Sequence, residues 1–156
     1  MRILVVHGSR SGATQAIAQH MGDALTHDGH DVVVADAADE PTPDGFDLVI
    51  VGGGVRASKL SGKTTAWLEA RVPELRDIPF ALFWVSLSGA APAETVPASS
   101  GLRAIDEKGF KGWYFANRVN WFERQIMKQM KTDEGDYRDP HAEASWARAV
   151  VDRVQN

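Results

Sequence analysis

The residues best placed to do chemistry stand near the start of the chain, in Gly8-Ser9-Arg10-Ser11-Gly12-Ala13-Thr14. Ser9, Arg10, Ser11 and Thr14 offer hydroxyl and cationic donors within one short turn. Before it, Ile3, Leu4, Val5 and Val6 form a continuous apolar run, the pattern of a strand buried on both faces of a parallel sheet. After it, Ile17, Met21, Ala24 and Leu25 recur at helical spacing. A strand, a polar loop and a helix start together make an anion site. The free N–H groups of the first helical turn point into the loop, and the helix dipole favours negative charge there. A dinucleotide loop, Gly-x-Gly-x-x-Gly, needs glycine where Arg10 stands, and a nucleotide P-loop needs lysine where Ala13 follows Gly12. What remains is a donor set suited to one phosphate monoester without a metal. An ordinary serine–glycine turn that only starts a helix has the same composition, so the neighbouring segments must decide.

Those segments alternate in type. Val32 to Asp36 reads as a second strand, Phe46 to Val51 as a third running into Gly52-Gly53-Gly54, and Pro79 to Leu87 as a fourth. Ser61 to Val72 reads as a helix between the last two. Ser88 to Ser100 reads as loop, Gly101 to Lys108 as a short helix, and Phe110 to Val119 as a fifth strand. Trp121 to Lys131 has a helical pattern, Gly135 to Pro140 breaks it, and His141 to Val154 closes the chain as a helix with Ala144, Ala147, Val151 and Val154 on one face. Strands alternating with helices predict βαβ units and a doubly wound parallel sheet. With an anion loop after the first strand, the expected strand order is 2-1-3-4-5, in which ligands sit where the order reverses. Three polar, glycine-bearing loops should then converge: Ser9–Thr14, Gly52–Leu60 and Leu87–Ala91. That coincidence favours a binding site over a plain turn.

The chain has 156 residues, a length that predicts a single domain over residues 1–156. There are no cysteines, so disulfides, thiol nucleophiles and thiolate-held metals are excluded. A net charge of −4 argues against general nucleic-acid binding. Arg2 and Ile3 run straight into a strand and no apolar span of about 18 residues occurs, so neither signal peptide nor membrane helix is expected. A cytoplasmic setting follows, peripheral to the inner face of a membrane at most.

The loop residues resemble a known group. Gly8-Ser9-Arg10-Ser11-Gly12-Ala13-Thr14 resembles the phosphate loop of flavodoxin-domain proteins. Asp47 to Lys59, with Gly52-Gly53-Gly54-Val55-Arg56-Ala57-Ser58 at its centre, resembles their second flavin loop, and Val85-Ser86-Leu87-Ser88 the third. The tail, Phe122 to Met130 and then Gly135-Asp136-Tyr137-Arg138-Asp139, is similar to the end of menaquinone-dependent protoporphyrinogen dehydrogenases. The resemblance spans most of the chain except about Ala90 to Gly109. It implies a flavodoxin-like three-layer sandwich with a five-stranded parallel sheet, and a non-covalent FMN. Ser9, Arg10, Ser11, Gly12, Ala13 and Thr14 would hold the phosphate. Gly53, Gly54, Val55, Arg56, Ala57 and Ser58, with Ser86, Leu87, Ser88 and Gly89, would hold the isoalloxazine. It further implies an oxidoreductase that passes electrons from a porphyrinogen-like donor to a quinone or another acceptor. No catalytic side chain is assigned and no metal is expected. Where such proteins often carry an aromatic residue in the second loop, this chain has Val55-Arg56; Arg56 can lie flat on a ring or set positive charge beside a reduced, anionic flavin. A flavodoxin-type carrier without its own substrate, and a domain that has lost flavin, are the alternatives.

Other patterns compete with simpler roles. Ala57-x-x-x-x-Gly62-Lys63-Thr64 approaches a nucleotide loop but begins with Ala and does not directly follow the strand. His7 ends the first strand beneath the anion loop, either as a histidine bonded to backbone or as a cation near the cofactor. Phe110, Trp113, Tyr114, Phe115, Trp121 and Phe122 crowd together, and Lys108 to Lys131 holds six basic residues against one acidic, Glu123. On a helical wheel Phe122, Ile126, Met127 and Met130 share one side, and Arg124, Lys128 and Lys131 the other. Such a helix either packs on the core with a solvated back or rests on an anionic membrane, which gives residues 110–131 a candidate peripheral contact. Glu123 falls inside the apolar arc and has no role in either arrangement.

Overall fold

The computed structural model describes residues 1–9 and 12–156. In chain order the elements are β1 (Arg2–Gly8), α1 (Ala13–His27), β2 (Asp31–Asp36), β3 (Leu48–Arg56), β4 (Lys59–Leu60), α2 (Gly62–Ala70), α3 (Val72–Leu75), β5 (Phe80–Ser86), β6 (Glu107–Lys111), β7 (Trp113–Tyr114), α4 (Trp121–Gln129), β8 (Gly135–Asp136) and α5 (Pro140–Gln155). The parallel sheet runs β2-β1-β3-β5-β6, so its five main strands take the expected order 2-1-3-4-5. Unbroken apolar runs form the central strands because both faces are covered. Ile3 and Val5 of β1 face one layer with Ile17 and Met21 of α1 and Val150 of α5. Leu4 and Val6 face the other, with Leu68 of α2 and Leu75 of α3.

The structure departs from the sequence expectations in definite places. The third strand does not stop at Val51 but continues through all three glycines to Arg56. Space for this comes from neighbours: a Cβ on Gly52 would stand 2.0 Å from Phe83 Cζ, and one on Gly53 would stand 2.6 Å from Thr64 Oγ1. The helix expected over Ser61–Val72 ends at Ala70 and restarts at Val72, because the Pro73 ring cannot continue the helix through the carbonyl a turn earlier.

No helix forms over Gly101–Lys108. The crossover from β5 to β6 is extended chain with one 3-10 turn at Ala98–Ser100, and Val96, Leu102 and Ala104 cover the second core face in place of a helix. The single strand expected over Phe110–Val119 is two. β6 stays in the main sheet, whereas β7 leaves it to pair antiparallel with β8. The break falls at Gly112, where a Cβ would lie 2.8 Å from Val85 Cγ1 and 3.2 Å from Ala13 Cβ. On the closing helix Ala147 and Val151 are buried as expected, Ala144 and Val154 are half-buried, and Glu143, Trp146 and Val150 complete the buried face.

Candidate functional site

The parallel register brings three segments to one edge of the sheet. Gly8 lies level with Gly53, Gly53 with Trp84, and Gly54 with Val85. In the first segment, Gly12 is the N-cap of α1 with φ 90° and has no side chain to cap the helix with. The Gly12 N–H donates to Ser9 Oγ at 2.9 Å, so Ser9 braces the turn from within. Ala13 and Thr14 are buried, and the first turn of α1 holds no acidic side chain, which leaves the helix start electrostatically open to an anion. Arg10 and Ser11 lie outside the described residues. Beneath the turn, Thr64 Oγ1 donates to the Gly52 carbonyl at 3.1 Å. The threonine of the near-nucleotide motif is therefore a buried strut, and its glycine, Gly62, opens α2 rather than cradling a phosphate.

The second segment is a β-hairpin, not a loop. Val55 pairs with Leu60 and Arg56 with Lys59, around a turn in which Ala57 has φ 48° and Ser58 φ 63°. Two consecutive positive φ angles define a type I′ turn, which matches the strand twist and normally calls for Asn or Gly. The hairpin reaches the first segment at Gly54, where a Cβ would stand 3.6 Å from Thr14 Oγ1. Its tip is tied to the crossover by Ala93 N–H donating to the Ser58 carbonyl at 2.8 Å. Gly53, Gly54, Val55 and Arg56 thus stand on a strand, and Ala57 and Ser58 alone form the turn. Arg56 pairs with Glu123 of α4. That contact gives Glu123 its role.

The third segment closes on itself. Trp84 Nε1–H donates to the Gly89 carbonyl at 3.0 Å, Gly89 has φ 78°, and Ser88 Oγ accepts from Ala90 N–H at 3.2 Å. Ser86 Oγ donates to the Ala90 carbonyl at 3.3 Å, and Leu87 is half-buried.

A fourth wall goes beyond what the sequence leads one to expect. Trp113 of β7 lies over Gly12, with Cζ2 3.2 Å from where a Gly12 Cβ would stand. The guanidinium carbons of Arg118 and Arg138 lie 4.6 Å and 4.5 Å from the centroid of its ring. Arg138 is held by Asp136 through a two-pronged pair at 2.9 Å and 2.6 Å, which lowers the Asp136 carboxyl and raises the Arg138 guanidinium. Arg138 stands in the tail pattern and Trp113 in the aromatic cluster; what the sequence does not show is that the ribbon folds back onto the anion loop.

His7 is buried, and its Nδ1 has no hydrogen-bond partner among the described residues. Burial pushes its pKa down, against the opposing pull of Asp36 and Asp39. Burial thus disfavours the cation, and at Nδ1 the backbone bond that the sequence suggests is not found among the described residues.

α4 does not pack its apolar stripe on the core. Trp121 is 69% exposed, Phe122 67%, Ile126 40% and Met130 68%. Its inward side is polar: Glu123 meets Arg56, and Arg124 donates to the Ala116 carbonyl at 2.7 Å and 3.2 Å. Among the described residues no helix is long and apolar enough to cross a membrane.

The fold is similar to that of solved flavodoxins. One from the domain Archaea superposes with a TM-score of 0.62 at 19% identity, covering 100% of both chains. A cysteine-to-alanine mutant of the flavodoxin from Pseudomonas aeruginosa gives 0.57 at 12% identity, over 97% of this chain and 99% of that one. Rubredoxin oxygen:oxidoreductase from Desulfovibrio gigas gives 0.52 at 13% identity, covering 96% of this chain and 37% of its own. No curated protein matches in sequence. The sequence model of the flavodoxin domain matches residues 4–141, and the chain, with its glycine-capped α1, β3–β4 hairpin and 2-1-3-4-5 sheet, belongs to that family.

Proposed function

We propose that the protein binds FMN at this edge and works as a redox protein, carrying electrons from a reduced, porphyrinogen-like donor to a quinone-type acceptor. The observation that carries the FMN reading is the meeting of Gly12, Thr14 and Gly54 at the start of α1. Gly54 brings no side chain toward Thr14, and Gly12, with φ 90°, brings none beneath the Trp113 indole. An acid-free helix start supplies the charge preference. These residues fit a phosphate monoester. In this reading Ser9, Gly12, Ala13 and Thr14, with Arg10 and Ser11, hold the phosphate. Gly53 to Ser58 and Ser86 to Gly89 flank the ring. What the cofactor supplies when bound is redox chemistry; the chain binds it, orients it and shields it from water.

The donor and acceptor classes rest on the tail pattern Gly135-Asp136-Tyr137-Arg138-Asp139 and on the surface beside the hairpin. An exposed apolar stripe with Lys128 and Lys131 close by suits a flat apolar molecule bearing carboxylates, and also an anionic membrane where a quinone is met. Residues 110–131 are the face we assign to that contact. Titration with FMN, followed by flavin fluorescence, tests the cofactor: saturable quenching supports it and its absence overturns it. Quinone reduction coupled to porphyrinogen oxidation tests the activity. Electron exchange with a reductase alone would make the protein a carrier.

A further inference from the structure

Glu143 is the one fully buried carboxyl among the described residues, and the site described above makes no use of it. It stands in the first turn of α5, where the cap residue Asp139 accepts from Ala142 N–H at 3.1 Å. One Glu143 oxygen lies 3.2 Å from His20 Nδ1 of α1, and the other has no partner among the described residues. Burial raises the Glu143 pKa, His20 and Arg138 pull it down, and Asp139 adds to the rise. Asp136 in turn acts on His20. The seam between α1 and α5 is firm beyond this point: Trp146, Ala147, Val150 and Val151 lie in the core, and Arg148 grips Asp28 of α1 at 2.7 Å and 3.2 Å. Ahead of it, residues 135–142 include no fully buried side chain. Their attachments include Tyr137 N–H donating to the Gly112 carbonyl at 3.0 Å and Arg138, which holds Asp136 and stacks on Trp113. An ionised carboxyl shut off from solvent is costly, and lifting this corner hydrates it while the sheet stays folded.

We propose that Glu143 and His20 form a proton-operated latch between α1 and α5. With the Glu143 carboxyl protonated, the corner from β8 to the first turn of α5 stays closed on α1; loss of that proton makes residues 135–143 open as a unit, ahead of the rest of the fold. A carboxyl whose pKa is raised in the closed form holds its proton more tightly there than in the open form. Opening is therefore rarest below the open-form value of about pH 4, grows more frequent by up to about tenfold per pH unit above it, and levels off once pH passes the closed-form value. The effect reaches the start of α1, because Arg138 rides on this corner and stacks on the Trp113 indole that lies over Gly12. The cover there is tighter in acid and looser toward alkaline pH. None of this depends on a bound cofactor, so it stands apart from the FMN reading.

Hydrogen exchange of the intact chain, read by mass spectrometry at a series of pH values upward from about pH 4, tests the latch, with each rate divided by the intrinsic rate of the unfolded peptide at that pH. Expected over residues 135–143 is a rise of up to about tenfold per pH unit that then levels off, and a flat profile in Glu143→Gln, which cannot ionise. His20→Ala removes a group that lowers the Glu143 pKa, so its profile should level off at higher pH. A flat profile over 135–143 in the unmodified protein, or an equal rise in Glu143→Gln, overturns the proposal. So does exchange of 135–143 no faster than that of the β1 and β3 amides at every pH, because Glu143 would then meet solvent only when the whole chain unfolds. That last comparison needs no variant and decides the matter even where Glu143→Gln fails to fold.

Discussion

The contact between Arg56 and Glu123 makes the sharpest demand on the structure, because it joins a hairpin to a helix whose apolar stripe is largely exposed. No residue of α4 is fully buried, so its attachment depends on polar contacts from its inner side. The Arg56 side chain is 45% exposed and that of Glu123 only 15%. An exposed pair contributes about 0.2–1 kcal/mol, whereas stripping one partner from a buried pair costs about 3–5 kcal/mol. With one partner shielded and the other half in water, Arg56→Ala should cost α4 about 1–2 kcal/mol of local stability. That corresponds to roughly five- to thirtyfold more frequent opening. Hydrogen exchange read by mass spectrometry should show faster exchange over Glu123 to Gln129, with the β1 and β3 amides unchanged.

Arg56 makes other contacts as well, so the single variant does not isolate the pair. A double-mutant cycle with Glu123→Gln does. The carboxamide needs no cation, so Glu123→Gln should return much of the protection lost in Arg56→Ala, with a coupling of about 1 kcal/mol that shrinks as salt is raised. A coupling near zero, or unchanged exchange in α4, would refute the claim that this pair holds the helix.

Three further perturbations follow from particular atoms. Gly52→Ala should destabilise by about 3 kcal/mol, because the new methyl meets Phe83, whose ring is wedged between Phe110 and Trp146 at 6.2 Å each; thermal unfolding measures it, and adding Phe83→Leu should recover part of the loss. Ala57→Gly should stabilise by about 1 kcal/mol, since Ala57 sits at φ 48° where glycine carries no Cβ penalty; an unchanged or lower melting temperature would count against the turn assignment. Glu143 is fully buried, one oxygen meeting His20 Nδ1 at 3.2 Å and the other unpartnered among the described residues, and burial raises its pKa. The native state therefore holds the Glu143 proton more tightly than the unfolded chain does, and stability falls as pH rises from the unfolded value through the folded one. Glu143→Gln removes that loss, so the variant should melt above the parent at neutral pH and converge with it below about pH 4.

The sheet and the start of α1 were legible because their signals are local. Ile3 to Val6 is apolar without interruption, and the change to helical spacing at Ile17 marks the turn between them. What failed to show depends on contacts distant in sequence. Three glycines in a row normally weaken a strand, yet Gly52 is cleared for the Phe83 ring and Gly53 for Thr64, so β3 runs through them and the loop expected there becomes a hairpin. Gly112 breaks the last strand because Val85 and Ala13 leave no room for a Cβ there. The periodicity of Trp121 to Lys131 fixed a helix but not which side faces the protein. Contacts of Glu123 with Arg56 and of Arg124 with the Ala116 carbonyl go with the polar side turned inward and Phe122 and Met130 in solvent.

That inversion explains how the walls of the site are connected. The hairpin reaches α4 through Arg56 and Glu123, and the segment carrying Trp113 and Arg118 reaches it through Arg124 and the Ala116 carbonyl. α4 therefore braces the β3–β4 hairpin and the segment of Trp113 and Arg118 together, although it packs on neither core cluster. A helix with no fully buried residue and a largely exposed apolar stripe is among the least stable parts of a fold. Here that weakness sits between the hairpin and the segment of Trp113 and Arg118, with an apolar stripe facing outward. Loosening either attachment should reach the opposite wall, which packing of α4 against the sheet would have prevented.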